Sequence, residues 1–390
     1  MVNEKITQAI DILKERNIDL WLTFVRESHT VTDPCLPLIL NASCTWQSAF
    51  LISATGKKIA IVGNLDYAAI KDLGYYETIS YKASIKDVLV SAIQSINPNS
   101  IAINYSASDF TADGLTHGMF LLLQSYLQET PFINRMVSSE DIISALRGRK
   151  SPAEIQRLKH AIRITLDIFD EVTRFVKPGL TEAQVAEFIL NQVEKRGIEV
   201  SWDRATCPSV FSGPDTAGAH YSPTDRVIKS GHIMNIDFGV KIDDYVSDLQ
   251  RTWYFLRPGE TDAPAEVKKG FDTVRDAIAR AAAFIKPGVE GWQVDDVARS
   301  YIVSRGFEEY PHALGHQVGR VAHDGAGVLC PRWERYGRLP YLKVEKGQVY
   351  TLEPRLTVPG YGVATIEEEI VVTEHGCEFL SSPQRELIVV

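Results

Sequence analysis

The chain has 390 residues, a formal net charge of −9, and is 45% hydrophobic and 23% charged. That length supports two domains with sizeable cores, and the composition is that of an ordinary globular protein. The acidic balance with dispersed basic residues argues against nucleic acid as a partner, and no apolar run approaches the ~20 residues of a membrane span.

The first element is an amphipathic helix, with Ile6, Ala9, Ile10 and Leu13 at helical spacing. It lacks the basic start and apolar run of a signal peptide. Short strands are predicted at 18–24, 48–54, 57–63 and 100–105, and a helix over 112–129. These describe a mixed α/β domain over residues 1–145. The stretch RGRK at 147–150 reads as a solvated linker. Ser151, Pro152 and Glu154 then form the capping signature of a long helix that stops before Pro178-Gly179. The five cysteines, Cys35, Cys44, Cys207, Cys330 and Cys377, are widely spaced with no CxxC. They read as free thiols in a reducing, cytoplasmic setting.

Residues 146–390 form the second domain, and they contain an internal repeat. Residues 175–199 and 284–308 share Phe, Lys-Pro-Gly, Gln-Val, Arg-Gly and Glu at a constant offset of 109. Each copy ends one helix at Pro-Gly and begins another, and each is followed by strand-rich sequence. A pseudo-two-fold domain with helices flanking a shared sheet is expected. The fold class is therefore α/β (α+β).

The strand-rich sequence holds the chemistry. In HIMNIDFGVKIDDYVSDLQRTWYF, a hairpin tip at Ile242-Asp243 would set Asp237 directly opposite Asp248, with Cβ atoms about 4.5–5.5 Å apart. In TLEPRLTVPGYGVATIEEEIVV, a tip near Pro359-Gly360 opposes Glu353 to Glu367. Glu369 shares their face and Glu368 points away. Half-buried like charges need raised pKa values or a bound cation. Three of the nine histidines fall in HALGHQVGRVAH, residues 312–323, where a glycine precedes His316 and Gly319 follows. Four carboxylates plus His316 are too many hard donors for a structural zinc and suit two divalent ions. Two such ions about 3.5–4 Å apart can hold a hydroxide as nucleophile.

These motifs, in this order and spacing, resemble the pita-bread metallopeptidases: methionine aminopeptidase, aminopeptidase P and prolidase. The resemblance covers about residues 150–390. The first 140 residues are similar in layout to the extra domain of the prolidase, aminopeptidase P and creatinase branch, which methionine aminopeptidase lacks. The resemblance implies that Asp237 binds one metal, that Asp248 and Glu367 bridge both, and that His316 and Glu353 bind the second. It implies manganese, with cobalt, zinc or iron as alternatives, and a homodimer. Glu353 resembles the carboxylate that takes a proton from water, and His220 the histidine assisting at the scissile bond. His312 and His323 match those lining the proline side of the pocket.

Two positions depart from aminopeptidase P. Thr357 stands where that group carries a tyrosine, and Thr365 where it carries an arginine. A dipeptidase must neutralise a free substrate carboxylate, and arginine does this best. Arg355 lies two residues beyond Glu353 on the same strand parity, and Arg332, Arg335 and Arg338 sit in a nearby loop. An Xaa-Pro dipeptidase acting on short proline-containing peptides is the favoured reading, with an Xaa-Pro aminopeptidase as its alternative. A metal-free creatinase-like C–N hydrolase and a non-catalytic binding module fit less well, because neither needs all five ligands.

Overall fold

The computed structural model describes residues 1–215 and 222–390. It divides into two compact units, Met1–Arg147 and Gly148–Val390.

The first unit is built on a six-stranded mixed sheet. Its central strand, Leu20–Val25, pairs antiparallel with Ser48–Ser53 and parallel with Ile101–Ile103. Every residue of that strand is buried, so it reads as a continuous apolar run and not as an alternation. Leu20, Leu22 and Phe24 pack on one face with Leu51, Leu89 and Leu123. Trp21 and Val25 pack on the other with Ile6, Leu13 and Phe50. The edge strand Glu77–Tyr81 was not expected, because ETISY is polar and largely solvent-facing. The helix expected over 112–129 begins only at His117, where Thr116 accepts a hydrogen bond from Met119 N.

A buried polar cluster lies under Trp21. The indole Nε1 donates to Asn104 Oδ1 at 2.7 Å, as does Ser139 Oγ at 2.9 Å. Asn104 Nδ2 donates to Asp33 Oδ2 at 2.8 Å, and the Cys35 backbone N–H donates to Asp33 Oδ1 at 2.9 Å.

In the second unit the repeat becomes two helix pairs. The helix Pro152–Phe175 is followed by Glu182–Lys195, and Ala265–Phe284 by Gly291–Ser304. The second helices begin and end at the offset of 109 seen in the sequence. Their capping boxes, Thr181 with Gln184 and Glu290 with Gln293, obey the same offset. Each pair leads into a hairpin. The first comprises Ile233–Phe238 and Leu249–Tyr254. The second carries two short ladders, Val349–Leu352 with Glu368–Val372 and Arg355–Val358 with Gly362–Thr365.

RGRK is not a solvated linker. Arg147 is buried and donates to Pro34 O, Arg149 pairs with Glu345, and Lys150 forms a buried ion pair with Asp324 at 3.0 Å. A run of charges reveals nothing of partners that lie more than a hundred residues away. Among the described residues, no helix is long and apolar enough to cross a membrane.

Candidate metal centre

The tip of the first hairpin lies one residue later than expected, which shifts the cross-strand pairing by two. Ile242 pairs with Tyr245, so the tip is Asp243-Asp244. Both aspartates take positive φ, 50° and 66°, the conformation a two-residue primed turn requires and one that Asp tolerates. The register therefore sets Asp237 opposite Gln250 and not opposite Asp248. A shift of two keeps side-chain parity, so Asp248 still faces the same side as Asp237. Their carboxyls approach closely enough for one to hydrogen-bond the other.

In the second hairpin Leu352 pairs with Glu368 and Arg355 with Thr365. That single register sets Glu353 across from Glu367. Pro354 has no N–H to give, and the ladder breaks there. Glu367 turns instead to the other hairpin, bridging to Gln250 through its N–H at 3.2 Å. This bridge joins the two half-sheets where the carboxylates meet. Glu368 points away, as expected, into a buried ion pair with Arg251 at 3.1 Å. Glu369 Oε1 accepts the Asp248 N–H at 2.8 Å.

Burial pushes all of these acids upward. Asp237 rises to about 7 by burial, and Glu369 to about 8 by burial. Asp248, Glu353 and Glu367 rise well above the usual carboxylate range, first through burial and then through the neighbouring carboxylates.

His316 lies on the short strand Gly315–His316, beside Val349–Leu352. Its Nε2 is 3.4 Å from Glu353 Oε1 and 3.7 Å from Asp248 Oδ2. The glycines around it are needed for close approach. A Cβ on Gly315 would lie 1.9 Å from Thr351 O, and one on Gly319 would lie 1.8 Å from Asp324 Oδ2. The His323 ring meets the His316 ring edge-on at 4.2 Å. His312 is half-buried, with Nδ1 2.7 Å from Ala313 O. His220 lies outside the described residues. Arg355 is partly buried beside Glu353, directly across the ladder from Thr365. Two of the loop arginines have partners of their own: Arg332 stacks on Trp292, and Arg335 lies against Trp333 and Tyr336 and donates to Pro311 O at 2.5 Å.

Residues 156–374 match metallopeptidase family M24, more than half of the chain. The chain belongs to that family. Over 347 residues it is 28% identical to the uncharacterised peptidase YqhT of Bacillus subtilis, covering 88% of this chain and 90% of that protein. Its fold is similar to that of an Xaa-Pro dipeptidase from Bacillus anthracis, with a TM-score of 0.75, 24% identity and full coverage of both chains. It is also similar to an X-Pro aminopeptidase from Thermotoga maritima, with a TM-score of 0.72, 25% identity and 99% of each chain covered. The pita-bread fold follows.

The donor set of this M24 chain fits divalent metal. Donor atoms of Asp248, His316 and Glu367 lie within 4.8 Å of one another. Asp237 Oδ1 and both carboxylate oxygens of Glu367 are buried without a hydrogen-bond partner among the described residues. Unpaired buried anions are strongly unfavourable, and cations among these oxygens remove that penalty.

The sequence reading missed Gln250. Its Nε2 lies 3.5 Å from Asp237 Oδ2 and 3.3 Å from Glu353 Oε2, and its Oε1 accepts Thr365 Oγ1 at 2.8 Å. One amide thus links acids from both hairpins. The available signal was parity, since Gln250 shares the strand face of Asp248.

Proposed function

We propose that this M24 metallopeptidase is a dinuclear exopeptidase that hydrolyses Xaa-Pro bonds in short peptides, with the free dipeptide as preferred substrate. The observation that carries the reading is the gathering of three buried carboxylates, Asp237, Asp248 and Glu367, with the partly buried Glu353 and His316, and with oxygens of Asp237 and Glu367 left unpartnered among the described residues. Asp237, Asp248 and Glu367 would hold one ion, and Asp248, Glu367, His316 and Glu353 the other. When bound, two divalent ions lower the pKa of water and polarise the scissile carbonyl.

The side chains supply the remaining steps. Glu353 takes a proton from the attacking water and delivers it to the proline nitrogen as the C–N bond breaks. Gln250 orients that carboxylate by donating to Oε2. The leaving nitrogen carries a ring and no N–H, so it cannot be recognised by a backbone acceptor. His312 and His323 line its side of the pocket, and His220 assists at the scissile carbonyl. Arg355 binds the free proline carboxylate. Its side chain has no hydrogen-bond partner among the described residues, and it lies directly across the ladder from Thr365. Manganese as the metal, a homodimeric assembly and a cytoplasmic setting belong to the same reading.

Rates on Ala-Pro, Ala-Pro amide, Ala-Pro-Ala and Ala-Ala, with added Mn²⁺, test it. The free dipeptide should be cleaved fastest and Ala-Ala far more slowly. Faster cleavage of Ala-Pro-Ala would make the enzyme an aminopeptidase, and equal rates on Ala-Pro and Ala-Ala would remove the proline specificity.

A further inference from the structure

The helix Gly291–Ser304 carries an acid and a base on its apolar face. Asp295 and Arg299 lie four residues apart, among the buried Val294, Ala298 and Ile302. Both are themselves buried, at 1% and 7% exposure. Arg299 Nε donates to Asp295 Oδ2 at 2.6 Å, and Nη2 to Oδ1 at 2.8 Å. A buried ion pair is seldom favoured over apolar packing on energetic grounds alone, so what else the pair holds matters.

It holds one strip of backbone. Arg299 Nη1 donates to Tyr310 O at 2.6 Å, and Nη2 to His312 O at 2.7 Å. The Leu314 N–H, shared with Leu329 O at 2.7 Å, reaches Asp295 Oδ1 at 3.0 Å. The pair thus grips residues 310, 312 and 314, in alternation, on the approach to Gly315–His316. The rings of Tyr310 and Trp333 cover the guanidinium at 4.0 Å and 5.0 Å. Leu314 passes the constraint on, since its carbonyl accepts the Glu353 N–H at 2.7 Å.

We infer that Asp295 and Arg299 are positioning residues. They fix the 310–314 backbone so that His316 and Glu353 meet the metal and His312 meets the substrate. The inference rests on the proposed ligand role of His316. Neither residue touches the reacting atoms. Partners that orient a ligand from outside typically change metal affinity or activity by ~10–100-fold when removed.

The test is Mn²⁺ titration of the metal-free protein by calorimetry, run beside Ala-Pro kinetics and thermal unfolding of the metal-free form. Arg299→Gln and Asp295→Asn should weaken Mn²⁺ binding about 10–100-fold and raise KM for Ala-Pro. Arg299→Lys keeps the charge but cannot span two carbonyls and a carboxylate, and should recover only part of the loss. Arg196→Gln breaks a half-buried ion pair with Glu171 elsewhere in the unit and should change neither quantity. Wild-type Mn²⁺ affinity and KM in Arg299→Gln and Asp295→Asn, with only the unfolding temperature lowered, would overturn the inference. If Arg299→Gln does not fold, Arg299→Lys and Asp295→Asn decide by the same criteria. His316→Ala separates the two levels, because unaltered Mn²⁺ binding there overturns the ligand reading itself.

Discussion

Two of the places where the chain buries acid treat it differently. Under Trp21, Asp33 is buried, and its oxygens accept from the Cys35 N–H and from Asn104, which in turn takes donors from Trp21 and Ser139. At the centre of the second unit, Asp237 and Glu367 are also buried, yet three of their oxygens accept nothing from the described residues. A buried polar group costs about 1–3 kcal/mol when left unpaired and more when charged. The first cluster avoids that cost with its own donors and needs nothing from outside. The second can avoid it only with protons or cations. Unpaired oxygen, more than buried acid, distinguishes the two clusters.

Substitutions should divide along this line. The largest effect is expected in the second cluster. Asp248→Ala and Glu367→Ala should abolish Ala-Pro hydrolysis and remove bound metal, exceeding the ~10–100-fold of outer partners, as read by assay and elemental analysis. Glu353→Gln keeps an oxygen donor but cannot carry a proton. It should lose about 10²–10⁴-fold in kcat while still binding metal. A variant turning over at the wild-type rate would assign the proton transfer elsewhere.

Arg355→Ala probes the rim. A hydrogen bond to a charged group contributes about 1.5–3 kcal/mol, so KM for Ala-Pro should rise about 10–100-fold with metal content unchanged. Ala-Pro amide, which lacks the carboxylate, should respond little to the same substitution. The smallest effect on activity belongs to the first cluster. Asn104→Ala strands the Trp21 indole and Asp33, and should lower stability by about 1–3 kcal/mol per stranded group in chemical unfolding. Its metal content and kcat should remain those of the wild type. Metal loss in that variant would erase the distinction between the clusters.

The sequence exposed the donors more clearly than the bonds that hold them. The second register was legible because Pro359-Gly360 marks the turn and the ladders on either side of Glu353 agree. The first was misread by two residues, because Asp-Asp without glycine is a weak turn signal and only the backbone reveals its positive φ. Parity protected the inference, since a shift of two leaves Asp248 on the same face. Asp295 and Arg299 sat in view on a predicted helix, but a pair spaced by four usually reads as a solvated one. Its placement on the stripe of Val294, Ala298 and Ile302 was the clue. Lys150 and Asp324 gave no local signal, because their pairing depends on the tertiary fold.

The central claim is that the unpartnered oxygens belong to a two-metal site. Titrating the metal-free protein with Mn²⁺ by calorimetry, with elemental analysis of the product, tests it most directly. The account predicts two ions per wild-type chain and loss of binding in Asp248→Ala and Glu367→Ala. A wild-type chain that takes up no ion, or variants that bind two as the wild type does, would contradict it.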